Sequence, residues 1–404
     1  MSLLAFEKSL ELLDGLDVGS VRVENVALSN AVGRVLAQDI VAKENDPKFP
    51  TASMDGYAVK FEDLALGKLK VLDSDNPAGK DEQRVLQSGE AIKTFTGSKM
   101  PEGSDTLIQI ENVTYSDGTI TIDEAVNLAS SVRPIGEGYS AGDILIKKGT
   151  KIGFAEIGVM AGLNIAMVAV ALKPRVAILA TGSEIVDLGE CSTNPAQIRS
   201  SNNYTLAALF EQAGAEVVQL GVVKDDEASI MQTFKNALRS ADIVVSTGGV
   251  SVGDYDFVKD IVPALGADVI FKGVSIKPGR HVMVAQKDEK FVLGLPGFAY
   301  SSTVTSILYV LPLVAKMLGK SRAYKTIEAT LSEDFTKRSR FTEFTTVNLH
   351  LVDGEYFVDM QGKKVGSSAI LTNMLESSAL MQTPQEQAFT PKGSKVEIIV
   401  LENF

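Results

Sequence analysis

The chain has 404 residues, 45% of them hydrophobic, and a formal net charge of -12 from 39 basic and 51 acidic side chains. That length exceeds what one hydrophobic core usually organises, so several domains are expected, and the acidic balance argues against nucleic-acid or anionic-membrane partners. With Cys191 the only cysteine and His281 and His350 the only histidines, an internal disulfide framework, a Cys-rich zinc site and an iron–sulfur site are all excluded.

The opening MSLLAFEKSLELLDGL lacks the basic start, apolar centre and small-residue cleavage site of a signal peptide. The longest apolar runs, such as Ile165 to Leu172, are too short to span a bilayer, and a reducing cytoplasm is the expected location. Leu3, Phe6, Leu10 and Leu13 share a helical face that stops near Gly15; a strand from Val21 to Leu28 and a helical turn before Gly33 follow. After Asn45-Asp46-Pro47 short alternating runs take over, including a hairpin in which Asp117-Gly118 joins Val113–Tyr115 to Ile120–Ile122. Residues 46–140 therefore read as a β-rich domain inserted in a split α+β domain made of 1–45 and 141–172.

From Pro174 strands and helices alternate. Val176–Ala180, Val217–Val223 and Ile243–Ser246 are buried-type strands, and Leu206, Leu209, Phe210 and Ala213, then Ile230, Phe234 and Leu238, form helical stripes between them. Such alternation predicts a doubly wound three-layer α/β domain over 173–320, with a parallel sheet covered on both faces. Further strands at Val269–Phe271, His281–Ala285 and Phe291–Leu295 precede a long helix from about Ser301 to Leu318. Beyond it, Val347, Leu349 and Leu351 share a face, Asp353-Gly354 turns, and Tyr356, Val358 and Met360 return, so 321–404 reads as a small C-terminal β domain, expected to be a barrel.

In an open α/β sheet, ligands collect at the carboxyl ends of the strands. Three polar segments lie there: Thr181-Gly182-Ser183-Glu184, Lys224-Asp225-Asp226, and Thr247-Gly248-Gly249-Val250-Ser251-Val252-Gly253-Asp254-Tyr255-Asp256. The glycines admit backbone N–H groups close to an anion, and Glu184, Asp225 and Asp256 would form a hard-oxygen set suited to a Mg2+ that bridges phosphate oxygens. The competing explanation is that the two aspartates are helix N-caps and the glycines only shape turns. No P-loop lysine and no G-x-G-x-x-G is present. Lys277-Pro278-Gly279-Arg280 offers two cations to a phosphate or an oxyanion such as molybdate, unless it is an ordinary Pro-Gly turn. A strand-face histidine with a structural partner is the preferred reading of His281, and nothing in sequence activates Cys191 as a nucleophile.

An ordered series of motifs resembles one family, the molybdopterin molybdenumtransferases (MoeA and the gephyrin E domain), over nearly the whole chain. The series is Met54-Asp55-Gly56-Tyr57-Ala58; Thr96-Gly97 with Pro101, Gly103 and Asp105; Arg133 with Gly136-Glu137; Thr181-Gly182-Ser183-Glu184; Ser201-Asn202; Ser246-Thr247-Gly248-Gly249-Val250-Ser251 with Gly253 and Asp256; Lys277-Pro278-Gly279-Arg280; and Gly294-Leu295-Pro296-Gly297. The resemblance implies a homodimer of four-domain subunits whose active site straddles the subunit interface. It implies that molybdate is inserted into adenylylated molybdopterin with Mg2+-dependent cleavage of the adenylate, releasing molybdenum cofactor and AMP. A molybdopterin adenylyltransferase and apo-molybdoenzymes are the implied hand-over partners. Carried over by position, Glu184, Asp225 and Asp256 hold the metal, and with Asp55 and Thr96 they are the expected catalytic group. Lys277 and Pro296 line the oxyanion end, with Arg133 and Arg340 as further anion contacts.

Three positions depart from the family pattern: Gly138 replaces an aspartate after Gly136-Glu137, Phe298-Ala299 replaces Asn-Pro after Gly297, and Thr346 stands where a second arginine follows Arg340 and Glu343. They bear on oxyanion handling. They leave a tungstate-preferring paralogue and a non-catalytic molybdopterin scaffold as alternatives, and the third-domain fold, which the resemblance implies is shared with the adenylyltransferases, leaves that activity as another.

Overall fold

The computed structural model describes residues 3–80, 84–224, 226–249, 257–376 and 378–401, which divide into two compact units: 39–147, and the remainder of the chain on either side of it. No described helix is long and apolar enough to cross a membrane.

The smaller unit is built on a six-stranded sheet in the order Thr106–Gln109, Gly56–Val59, Glu90–Thr94, Lys68–Val71, Thr119–Ile122, Val113–Ser116. Side chains alternate across it as the pleat requires. Tyr57 and Val59 join Leu69, Ala91, Ile108 and Ile120 in one core, while Ala58 faces Ala52, Met100 and Leu107 in another. The expected hairpin is present, with Asp117 and Gly118 at φ 50° and 74°.

In the larger unit, helix α1 (Phe6–Asp14) buries Phe6 and Leu13, and the strand Val23–Ala27 pairs antiparallel with Met167–Ala171, which joins the two stretches that flank the smaller unit. Between them in sequence lies α2 (Phe154–Gly162), of which only Met160 is buried. The α/β layer follows: β1 (Arg175–Thr181), α3 (Asn202–Gln212), β2 (Glu216–Val223), α4 (Glu227–Ser240), β3 (Ile243–Thr247), α5 (Val258–Ala264), β4 (Asp268–Lys272), β5 (Met283–Lys287), β6 (Lys290–Leu295) and α6 (Ala299–Thr305). A π-helical turn, Ser306–Val310, then leads into α7 (Leu311–Met317).

The strand order is β2-β1-β3-β6-β5-β4. The first four are parallel, but β5 pairs antiparallel with both β6 and β4, so the fully parallel sheet expected from the alternation is corrected to a mixed one. The reason is local. Asp288-Glu289 is a tight turn with Asp288 at φ 54°, which returns the chain beside the strand it has just left instead of crossing over through a helix.

Both faces are covered. Val176, Ile178, Val245 and Leu293 pack against Leu206 and Phe210 of α3 and the α6–α7 stretch, whereas Ala177, Leu179, Val244 and Val292 meet Ile230 and Phe234 of α4 and Ile261 of α5. Because α3 leaves β1 on one face and α5 leaves β3 on the other, the crevice between the carboxyl ends of β1 and β3 is the topological switch point.

The C-terminal strands close a small barrel: Thr342–Val352 (β7), Glu355–Asp359, Thr326–Leu331, Lys395–Val400 and Ser378–Thr383 follow in order, and the last pairs back onto β7. The Asp353-Gly354 hairpin has the expected register, with Leu349 opposite Val358 and Leu351 opposite Tyr356. Ile276–Lys277 adds to β7 in parallel, so Lys277 stands opposite Glu343.

Phe210 and Phe234 are fully buried on opposite faces of the mixed sheet. Truncating either to alanine is expected to cost about 3–5 kcal/mol, read as a lower midpoint in urea unfolding. A loss below about 1 kcal/mol at either site would mean that face is not packed as described.

Candidate functional site

At the switch point lies a cavity of about 710 Å3. Thr181 and Thr247, the last residues of β1 and β3, form its floor with Gly182, Gly248 and Gly249, and Glu184, Ser201, Asn202 and Pro296 line it too. Nine residues expected from sequence are thus brought together. Asn202, at the start of α3, donates through Nδ2 to the Gly297 carbonyl at 2.7 Å and fastens the turn after β6 to the cavity rim. The carboxylate of Glu184 folds back over Gly182, where an added Cβ would stand 2.9 Å from both of its oxygens. Among the described residues no ion pair neutralises it.

One expectation is corrected. The N–H of Gly248 donates to the Leu295 carbonyl at 3.0 Å, so it joins strand ends and is not free for an anion. Asp225, Ser251, Gly253 and Asp256 lie outside the described residues. The cap of α4 falls to Asp226, which accepts from the Ser229 N–H at 2.8 Å, and its carboxyl is held below the usual range chiefly by hydrogen bonds from Ser229. Sequence reasoning missed Arg199, Ile185 and Ile198, and assigned His281 elsewhere; all four line the cavity. The guanidinium of Arg199 donates to the carbonyls of Asp187 and Glu190, a loop contact that residue spacing does not reveal.

Lys277 and Pro278 line a second, smaller cavity of about 20 Å3, together with Tyr300, Glu343 and Thr346, so Lys277 is not beside Pro296, which was expected at the same oxyanion end but lines the large cavity. Consecutive residues join the two: Ala299 faces the large cavity and Tyr300 the small one, and so do Ala369 and Ser368. The Lys277–Pro278 peptide is cis, and Gly279 has φ 102°, with Thr305 so close that a Cβ would lie 2.2 Å from its Cγ2. Only glycine fits there. Arg280 and Arg340 both lie over the ring of Phe341, at 6.0 and 5.2 Å from its centroid, so two cations far apart in sequence share one aromatic ring. Arg280 also contacts His281 Nε2 at 3.3 Å.

Residues 4–163 match the MoeA N-terminal region (domain I and II), 177–316 the probable molybdopterin binding domain, and 328–401 the MoeA C-terminal region (domain IV). A molybdopterin molybdenumtransferase of Nostoc sp. is 34% identical over 94% of this chain and 88% of its own. One from Staphylococcus epidermidis is 33% identical over 94% and 91%. The crystal structure of the MoeA protein from Pyrococcus horikoshii superposes with a TM-score of 0.84 at 29% identity, over 99% of this chain and 100% of that one. The chain belongs to the molybdopterin molybdenumtransferase family.

Two of the three departures from that family have a local physical cause. At Gly138 a Cβ would meet Asp46 Oδ2 at 2.8 Å, so a second carboxylate there would both collide with and repel the first. Thr346 is buried, and its N–H and hydroxyl both donate to the Tyr300 hydroxyl, at 3.1 and 2.9 Å. An arginine at 346 would lose the hydroxyl bond to Tyr300 and force a longer side chain into that packed position. Phe298, at the rim of the large cavity, is 63% exposed, and nothing in the structure explains its choice over a polar residue.

In the smaller unit, Asp55 Oδ1 accepts from the N–H and the hydroxyl of Thr96, both at 2.8 Å. These bonds hold its carboxyl below the usual carboxylate value, the N–H contributing most. Arg133 is engaged with Glu137. Because the folded Asp55 binds its proton more weakly than the unfolded chain does, its contribution to stability is present above the ordinary carboxylate range and is lost as pH falls through the folded value. Thr96→Val removes the hydroxyl bond and should move the Asp55 midpoint part of the way up in a carbon-13 NMR titration. A midpoint unchanged by Thr96→Val would show that the hydroxyl plays no part.

Proposed function

We propose that this chain inserts molybdate into adenylylated molybdopterin, cleaving the adenylate with Mg2+ and releasing molybdenum cofactor and AMP. The observation that carries this reading is the pair of cavities divided by one wall. The large one offers a threonine-lined strand edge and a carboxylate to a nucleotide-like phosphate, and Lys277, which lines the small one and is 28% exposed, offers its ammonium to an oxyanion from the solvent side. Residues 173–320 and 321–404 supply these two ends, and Ser183, Pro278, Gly279 and Arg280 belong to the segments that frame them.

The unneutralised Glu184 carboxylate suits a divalent cation, which Asp225 and Asp256 are proposed to complete; such an ion would offset charge on the phosphate oxygens. Thr181, Thr247, Ser201 and Asn202 then orient the substrate, and Pro296 and Gly297 shape the rim. The Asp55–Thr96 pair, preorganised as a hydrogen-bonded carboxylate, is proposed to take part in the same reaction. No activated nucleophile is required, since the dithiolene and the oxyanion supply the reacting atoms.

Purified protein given adenylylated molybdopterin, molybdate and Mg2+ should release AMP and activate an apo-molybdoenzyme, and Glu184→Gln should slow AMP release by about 10²-fold. Binding without AMP release would favour a scaffold. Formation of adenylylated molybdopterin from molybdopterin and ATP would favour an adenylyltransferase, and activity with tungstate alone a tungsten enzyme.

The proposed enzyme is a cytoplasmic homodimer. On α2, Phe154 is 93% exposed, an apolar side chain of the kind that a second copy covers. Phe154→Asp is expected to shift the species measured by light scattering from dimer to monomer. A dimer of undiminished affinity would place the interface elsewhere.

A further inference from the structure

The small cavity contains a charge arrangement that the proposed reaction leaves unused. Glu343, opposite Lys277 on β7, is only 3% exposed. Its Oε1 lies 3.8 Å from Lys277 Nζ, beyond hydrogen-bond range, and its Oε2 is buried with no hydrogen-bond partner. Burial pushes the carboxyl above its ordinary value, opposed by Lys277, Lys337, Arg338 and the Ser339 N–H. Lys277, Lys337 and Arg338 are the cations facing it, and none of them makes a hydrogen bond to Oε2. The ammonium of Lys337 is spent on the carbonyls of Pro384 and Gln385, and the hydroxyl of Tyr300 on Thr346 and the Phe344 carbonyl. The cavity of about 20 Å3 has room for roughly one water beside the open oxygen.

Lys277 therefore serves two negative partners in turn. While the site is empty it balances Glu343, though loosely. When a dianion docks against its ammonium, the same charge cannot satisfy both, and the buried carboxylate is left facing a like charge across a poorly screened gap.

We infer that Glu343 takes up a proton at Oε2 when an oxyanion docks at Lys277, so that anion capture by this chain is proton-linked. The inference rests on the reading of Lys277 as the oxyanion end. The proton comes from solvent, a carboxylic acid forms from a carboxylate, and no other bond changes. Glu343 acts as a positioning residue through Lys277, and its protonation releases the ammonium to the anion.

The sign follows from linkage. A complex that binds more protons than the free protein weakens as pH rises, between the carboxyl's value in the free protein and its higher value in the complex. For one proton the limit is a tenfold loss of affinity per pH unit.

The test is calorimetric titration of the full chain with sodium molybdate alone, at several pH values from about 6 to 8, in paired buffers of different ionisation enthalpy. The wild type is expected to take up a fraction of a proton, approaching one, and to bind more weakly at higher pH. Glu343→Gln keeps the shape but cannot ionise; it should bind with little pH dependence, exchange no proton, and hold the anion more tightly than the wild type at the alkaline end. Buffer-independent heats and flat affinity in the wild type overturn the inference without needing any variant. Proton uptake that persists in Glu343→Gln overturns it as well, by assigning the proton to another group. Lys277→Gln separates this from the underlying reading. If it binds molybdate as the wild type does, the anion does not sit at Lys277 and both fall; if it abolishes binding while the wild type is proton-neutral, only the role of Glu343 falls.

Discussion

The hydroxyl of Tyr300 is the joint on which the site depends. It accepts from the N–H and the hydroxyl of Thr346 and donates to the Phe344 carbonyl, which uses its full capacity of one donor and two acceptor positions. Burial pushes its pKa up to about 12, so it remains a neutral donor at any pH the protein meets. Tyr300 belongs to α6, which begins where β6 ends, whereas Phe344 and Thr346 belong to the barrel strand β7. The bond set therefore fixes the α/β layer to the barrel at the wall between the two cavities. A buried hydroxyl deprived of these partners would cost roughly 1–3 kcal/mol, enough to loosen that wall but not to unfold the chain.

The same joint accounts for the absence of a second arginine on β7. A residue at 346 either satisfies Tyr300 or projects a cation into the small cavity, and threonine does the first. What remains there is one lysine set against one carboxylate. The composition of this cavity is thus a consequence of packing on α6 and β7 together, and neither element alone dictates it.

Much of the fold was legible in the sequence because it is written in local signals. Period-two alternation and the Asp-Gly pairs at 117–118 and 353–354 gave both hairpins in register, and the stripes at Leu206–Phe210 and Ile230–Phe234 gave the two helical covers. The antiparallel edge was not legible, since a buried strand looks the same in either direction and only the tight turn at Asp288 reverses it. At the site, strand-end reasoning named Thr181, Glu184 and Thr247, and the structure brings all three to one cavity. It did not give Glu343 or Tyr300 a role: the lysine and the glutamate are 66 residues apart in the chain, and only the register of Ile276–Lys277 on β7 sets them opposite each other. His281, read as a strand-face residue with a structural partner, lies instead in the turn before β5, where it contacts Arg280 at 3.3 Å and also lines the large cavity.

Charge explains why two cavities serve the proposed reaction better than one. A net charge of -12 repels the substrate at long range, so its negative groups have to be met one at a time by local devices. At the large cavity the protein presents the Glu184 carboxylate beside the Arg199 guanidinium, and a divalent cation held at Glu184 would further offset the charge of a phosphate. At the small cavity it presents an ammonium whose charge is partly claimed by Glu343. If both ends were permanently cationic, phosphate and oxyanion would compete for either, and an abundant anion such as inorganic phosphate would fill both. Under the proposed reading, separate means of charge balance, a divalent cation at one end and a proton-exchanging carboxyl at the other, would let each end select its own group. The rigid wall at Tyr300 then keeps the two selections apart.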